Sequence, residues 1–215
     1  MKRLLMLVLP LALCFALSAY SQAAPKSKAE VEAQLGDFSI KLTNTQPTEA
    51  YHFAQIVCAD GSYSEFRGEG HNAAKGEVKE HVAAFADFVA NKLYMLDVNE
   101  KEYELEPLGQ EEKAMFGKFD PMLGSHLFAH VDIMKDERFK KTGSEKVVGR
   151  DATVYAMDFG NGSAATFWID DEYGFTLKYV QSGKQPTRSE VTEFTTKGVT
   201  VKGLLNLDGY ELVEK

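Results

Sequence analysis

The sequence predicts a mainly β domain with short helices, an α+β protein built on one antiparallel sheet. Three observations carry this. Apolar and polar residues alternate over most of the chain. Turn signals separate the alternating runs at short, regular spacing, which is how antiparallel strands connect. Between about residues 108 and 134 the apolar period lengthens to that of a helix. Length and composition agree with one folded domain: 215 residues, 44% hydrophobic, 26% charged, 17 Gly and 6 Pro. Those values exclude disordered, collagen-like and disulfide-scaffold chains.

The chain opens with Met1-Lys2-Arg3, an apolar run over residues 4–17, and small residues in Ser21-Gln22-Ala23. This order is that of a secretory signal peptide, with cleavage expected after Ala23 and a single domain over 24–215. The expected compartment is a bacterial periplasm or the exterior. Ser27-Lys28-Ala29-Glu30 has the form of a capping box and predicts a helix over 28–35, stopped by Gly36. Phe38, Ile40 and Leu42 then alternate as a strand, and Tyr51, Phe53 and Val57 share one face of the next. Asp60-Gly61 turns the chain into a return strand over 63–68. The Ala- and Phe-rich run 78–89 fits strand or helix, and strand is the expectation. Strands at 93–96 and 102–105 flank the Asn99-Glu100-Lys101 turn as a hairpin.

Helices are expected over 110–118, with Leu108, Met115 and Phe119 on one face, and after Pro121, where Leu123, Leu127, Val131 and Met134 align. Strands return at 152–159 and 164–169, joined by Gly160-Asn161-Gly162-Ser163. Asp170-Asp171-Glu172-Tyr173-Gly174 reads as a hairpin turn into 175–180. Strands at 190–195 and 197–207 complete a count of roughly ten, with three short helices. Gly68-Glu69-Gly70 and Gly160-Asn161-Gly162 read as turn glycines.

A sheet with one wet face alternates strictly. Leu93-Tyr94-Met95-Leu96, Val154-Tyr155-Ala156-Met157 and Phe167-Trp168-Ile169 do not. Such strands are covered on both faces or half-exposed to something apolar. A curved sheet with helices in its concave face has this pattern, and so does an apolar cavity between sheet and helices; the sequence leaves both open.

The formal charge of -8, from 24 basic and 32 acidic residues, argues against nucleic acid and anionic membrane surfaces, which need a basic face. Once the leader with Cys14 is removed, Cys58 stands alone, so no internal disulfide forms, and it reads as a small buried hydrophobe. His126 and His130 stand four apart, a spacing that can hold a metal, but no Glu follows His126 and no third ligand is evident. Two solvent-facing histidines are the expectation. No phosphate loop, nucleophile elbow or calcium loop is present, and no carboxylate pair is singled out. No catalytic residue, no metal and no cofactor is therefore expected.

Phe53-Ala54-Gln55-Ile56-Val57, Asp60-Gly61 and Gly68-Glu69-Gly70 resemble the opening of the periplasmic lipoprotein-carrier family (LolA/LolB-like). Leu93-Tyr94-Met95-Leu96-Asp97 resembles that family's next strand pair. Gly149-Arg150-Asp151-Ala152-Thr153-Val154-Tyr155, Phe167-Trp168-Ile169-Asp170 and Gly174-Phe175-Thr176-Leu177-Lys178 resemble the related outer-membrane lipoprotein-sorting proteins, and an envelope stress-sensing domain shares that pattern. The carriers' Arg-Pro doublet is replaced here by Gly76-Glu77-Val78-Lys79-Glu80-His81. The resemblance implies an unclosed β-barrel with a helical lid over an apolar cavity. It implies binding of an acyl lipid or lipoprotein without catalysis; the alternative is an envelope module that docks a protein partner, and a monomer is expected. Chosen by alternation, the candidate cavity lining is Tyr94, Leu96, Tyr155, Met157, Phe167 and Ile169 from strands, with Met115, Phe119 and Leu127 from helices.

Overall fold

The computed structural model describes residues 25–72 and 76–213. The expected signal peptide, 1–23, and Cys14 lie outside the described residues. Helix α1 (Lys28–Glu32) begins on the expected capping box: Ser27 Oγ accepts from the Glu30 N–H at 3.4 Å, and Glu30 Oε2 accepts from the Ser27 N–H at 2.7 Å. It is shorter than expected: the regular helix ends at Glu32, although Ala33 keeps helical φ/ψ and the Leu35 N–H still reaches the Val31 carbonyl at 3.0 Å.

Six strands follow as an antiparallel meander: β1 (Phe38–Gln46), β2 (Glu49–Cys58), β3 (Gly61–Asn72), β4 (Gly76–Asp87), β5 (Lys92–Asp97) and β6 (Glu102–Pro107). Helices α2 (Gln110–Phe116), α3 (Pro121–Phe128) and α4 (His130–Ile133) come next. A second meander contains β7 (Lys140–Val147), β8 (Arg150–Gly160), β9 (Ser163–Asp170), β10 (Thr176–Ser182) and β11 (Thr187–Thr195). Pairing of β1 with β11 joins the two, and the short β12 (Glu211–Leu212) lies parallel on β6. The result is one curved twelve-stranded sheet, order β12-β6-β5-β4-β3-β2-β1-β11-β10-β9-β8-β7, not closed into a barrel. Since β6 and β7 stand near opposite ends, the segment between them, with α2 to α4, has to cross the sheet.

That crossing makes the main core. Phe38, Ile40 and Leu42 of β1 pack with Phe53 and Val57 of β2, Leu177 of β10, Val191 of β11, and Phe119, Leu123 and Leu127 from the crossing segment. The Phe119 ring lies tilted 4.7 Å from Phe38 and edge-on 5.3 Å from Phe128. Each such side chain contributes about 1.5–3 kcal/mol by burial. The unalternating strand β9 is covered on both faces: Trp168 joins the main core, while Phe167 and Ile169 form a second cluster with Ala165, Met134, Phe139, Tyr155 and Tyr179. Strand β5 differs. Leu93 and Leu96 are buried, but Met95 is 42% exposed, so this strand leaves part of an apolar face open.

Several expectations are corrected. The helix expected from Leu123 to Met134 breaks at Ala129 into α3 and α4, so four helices are described. Gly68 and Gly70 lie within β3; a Cβ at Gly68 would sit 3.0 Å from the Phe66 ring, so close packing explains that glycine. Residues 197–207 form no strand, because Gly198 and Gly203 adopt positive φ (66° and 84°) and bend the chain. That segment instead lays Val201 against Cys58 and Phe85 as a small separate core. Strand β7 was not anticipated. It is an edge strand whose exposed Lys140, Lys141 and Lys146 discourage pairing with another chain. Glu172 lies in a turn as expected, while Asp170 ends β9 just before it, and Arg150 braces both, with Nη2 3.0 Å from Asp170 Oδ1 and 2.8 Å from Glu172 Oε2. Cys58 is buried as expected; burial pushes its thiol pKa up, and Asp37 and Asp60 add to the shift.

Candidate functional site

Where β4, β5 and β6 meet α2, the sheet leaves a groove of about 700 Å³. Its floor follows from strand register. Val82, Leu93, Met95 and Asp97 share a face, with Met95 opposite Ala84 and Glu104, Leu93 opposite Ala86 and Glu106, and Asp97 opposite Val82 and Glu102. The second wall is α2, which contributes Glu112, Met115 and Phe116, and Val213 borders one end. A second hollow of about 280 Å³ continues along the sheet under α3, with Phe53, Phe66, Ala84, Met122 and Leu123 in its walls. Val82 and Met95 line both hollows, so they form one trough. Three methionines stand half-open on it: Met95 at 42%, Met115 at 51% and Met122 at 52% exposure. Thioether side chains of this kind adapt to ligands of varied shape.

The helical wall is held at its link rather than along its length. Helix α2 buries no residue of its own, though Phe116 leans on Ala86, Leu93 and Leu108. Helix α3 starts on Asp120, whose carboxylate accepts from the N–H groups of Met122 (2.9 Å) and Leu123 (3.4 Å), with Pro121 at the first position. Between the helices, the buried Gln55 of β2 donates from Nε2 to the Lys118 carbonyl and accepts the Asp120 N–H at 2.9 Å. Lys28 Nζ donates to the Phe119 carbonyl at 2.8 Å, and the Phe119 N–H donates to Glu32 at 3.3 Å. Three side chains thus satisfy the backbone of a link that passes through the core.

The candidate residues from sequence scatter. Met115 and Leu96 border the groove. Phe119 and Leu127, 1% and 0% exposed, are inside the main core. Tyr155, Phe167 and Ile169 sit in the second cluster, and Met157 is buried. Tyr94 lies on the opposite face of β5, with Phe85 at 6.1 Å and Tyr103 at 6.3 Å. The sequence reading missed Val82, Leu93, Met95, Phe116, Met122 and every carboxylate of the wall. One signal was present: Glu102-Tyr103-Glu104-Leu105-Glu106 alternates at the strand period, which puts three acids on one face.

The histidine expectation is overturned. His130 is wholly buried, shares a hydrogen bond between Nδ1 and Thr176 Oγ1, and lies 6.3 Å from the Phe167 ring. Burial lowers its pKa to about 4. His126 is partly buried too, with Nδ1 3.3 Å from Ser189 Oγ and 3.4 Å from Asn44 Nδ2, and burial lowers its pKa. Both are neutral at pH 7. Among the described residues no three His, Cys, Asp or Glu side chains gather as a metal set.

The sequence matches no protein-family model and no curated protein at a significant level. Among solved structures it is similar to MucB of Pseudomonas aeruginosa in complex with MucA, at 17% identity and a TM-score of 0.41, over 83% of this chain and 58% of that one. The chain thus spans less than two thirds of MucB. LprF from Mycobacterium bovis is similar at 10% identity and a TM-score of 0.44, over 81% of this chain and 92% of that one. An uncharacterised conserved protein from Thermus thermophilus is similar at 12% identity and a TM-score of 0.41, covering 87% of this chain and 96% of that one. Likenesses at this level say nothing of role, and the groove has to carry it.

Proposed function

We propose that the chain is a non-catalytic binding protein of the bacterial periplasm that seats an apolar chain in the trough beneath α2 and α3. The ligand is an acyl chain, of a lipid or of a lipidated protein on its way to the outer membrane. The observation that supports this most is the floor of Val82 and Met95, laid over the buried Leu93 and left open beside two further half-exposed methionines. Buried acyl carbons would supply the affinity, at about 0.8 kcal/mol per CH₂. The compartment rests on the leader-like residues 1–23; among the described residues no helix is long and apolar enough to cross a membrane. The sequence resemblance to lipoprotein carriers supports the same reading.

The test is binding of N-phenylnaphthylamine, a neutral apolar fluorophore, by the chain and by Met95→Glu and Met115→Glu. Both positions are open to solvent, so folding is expected to survive, as a thermal melt will show. Binding by the parent and a loss of about tenfold or more in each variant is the expected result. Fluorophore affinity untouched by both changes contradicts it.

A further inference from the structure

We propose that the trough is a site of regulatory methionine oxidation: a peroxide converts Met95, Met115 and Met122 to sulfoxides, and the apolar ligand is released. The inference rests on the reading of the trough as a ligand site, and adds the regulation of that site.

Of the seven methionines, Met1 and Met6 lie outside the described residues, and the other five divide by place. Met95 lines both hollows, Met115 the larger and Met122 the smaller, and each is about half exposed. Met157 is 3% exposed, and Met134 packs into the second cluster with Phe167 and Ile169. Among the described residues, every exposed methionine therefore stands on the ligand surface. The three come from β5, α2 and the first turn of α3, so the trough rather than the local sequence gathers them.

The step needs access and an oxidant. The thioether sulfur attacks one oxygen of a peroxide, the O–O bond breaks, and an S=O bond forms. Sulfur gives up two electrons, and the second peroxide oxygen leaves as water or an alcohol. A thioether has no proton to lose, so no base is required. Cys58 does not compete, because it is buried and its thiol is pushed up, away from the reactive thiolate.

Oxidation acts on the liganded state. A sulfoxide is polar and carries an oxygen that accepts hydrogen bonds. The described side chains lining the larger hollow are apolar or carboxylate, apart from Tyr103, whose ring lies beside Tyr94 on the other face of the sheet. A sulfoxide oxygen covered by an acyl chain there loses water and gains no side-chain donor. In the empty trough the same oxygen stays hydrated, so the fold is spared and affinity falls. A thiol-dependent reductase reverses the step: the sulfoxide oxygen leaves as water, and the dithiol becomes a disulfide.

The experiment treats the full chain with hydrogen peroxide, removes the peroxide, and measures N-phenylnaphthylamine affinity against the untreated protein. Peptide mass spectrometry places each added oxygen. Met95, Met115 and Met122 are expected to oxidise before Met134 and Met157, and affinity to fall about tenfold while the thermal melt stays cooperative. Methionine sulfoxide reductases with dithiothreitol should restore it. A chain carrying Met95→Leu, Met115→Leu and Met122→Leu together, judged against its own untreated affinity, should lose none to peroxide. Oxidation of Met134 or Met157 as early as the three, unchanged affinity once all three are oxidised, no recovery with the reductases, or an equal loss in the triple variant overturns the proposal while leaving the trough a ligand site. Failure of the untreated parent to bind the fluorophore falls on the ligand-site reading and takes the regulation with it.

Discussion

A buried imidazole such as His130 ties stability to pH. Its folded pKa lies near 4 against an ordinary 6.5, because burial among Phe167 and Thr176 disfavours the charged ring. Between those two values the unfolded chain binds a proton that the folded chain refuses. Stability from this group is therefore fully present above pH 6.5 and is lost as pH falls toward 4. At pH 4.5 the loss comes to about 2–3 kcal/mol. The parent is expected to lose that much more between pH 7.5 and pH 4.5 than His130→Met, measured by denaturant unfolding; equal losses would remove His130 as the cause. The sequence showed the pair His126 and His130 but not their burial, since nothing in a four-residue spacing says which way the helix faces. The same gap separates Phe119 and Leu127 from Met115. All three are apolar and helically spaced, and only packing sends the first two into the core and leaves the third open.

At the scale of elements, the strength of the turn signals decides what was readable. Asn161-Gly162 adopts positive φ at both residues (56° and 75°), the requirement of a tight hairpin turn, and the expected β8–β9 hairpin forms around it. Val148-Gly149 has the same signs (49° and 79°), but a valine there is not a turn signal, and the Lys-rich β7 before it does not alternate. That strand was invisible for those reasons. The hairpin of β5 and β6 was legible, and with it the register that sets Glu104 opposite Met95. The anchoring of the helices was not, because Gln55 acts on Lys118 and Asp120, 63 and 65 residues away. With Gln55→Leu those two backbone groups lose their partner, at a cost of about 1–3 kcal/mol. Hydrogen exchange should then speed up over 109–120 while β8 to β10 keep their protection. Uniform acceleration across the sheet would show instead that Gln55 supports the whole core.

For the whole molecule, topology ties fold to site. Two meanders joined through β1 and β11 leave β6 and β7 apart, and the helical crossing between them covers the sheet incompletely. Coverage is dense where α3 and the Phe119 link pack, and thin where α2 meets β4 to β6, so the open trough lies at the β6 end. Native mass spectrometry of the protein purified from cells, with solvent extraction of whatever is bound, tests this most directly. The account predicts an apolar ligand, an acyl-bearing molecule, held near one per chain and lost in Met95→Glu. A clean unliganded mass, unchanged after incubation with lysophospholipid and lipopeptide, would contradict it.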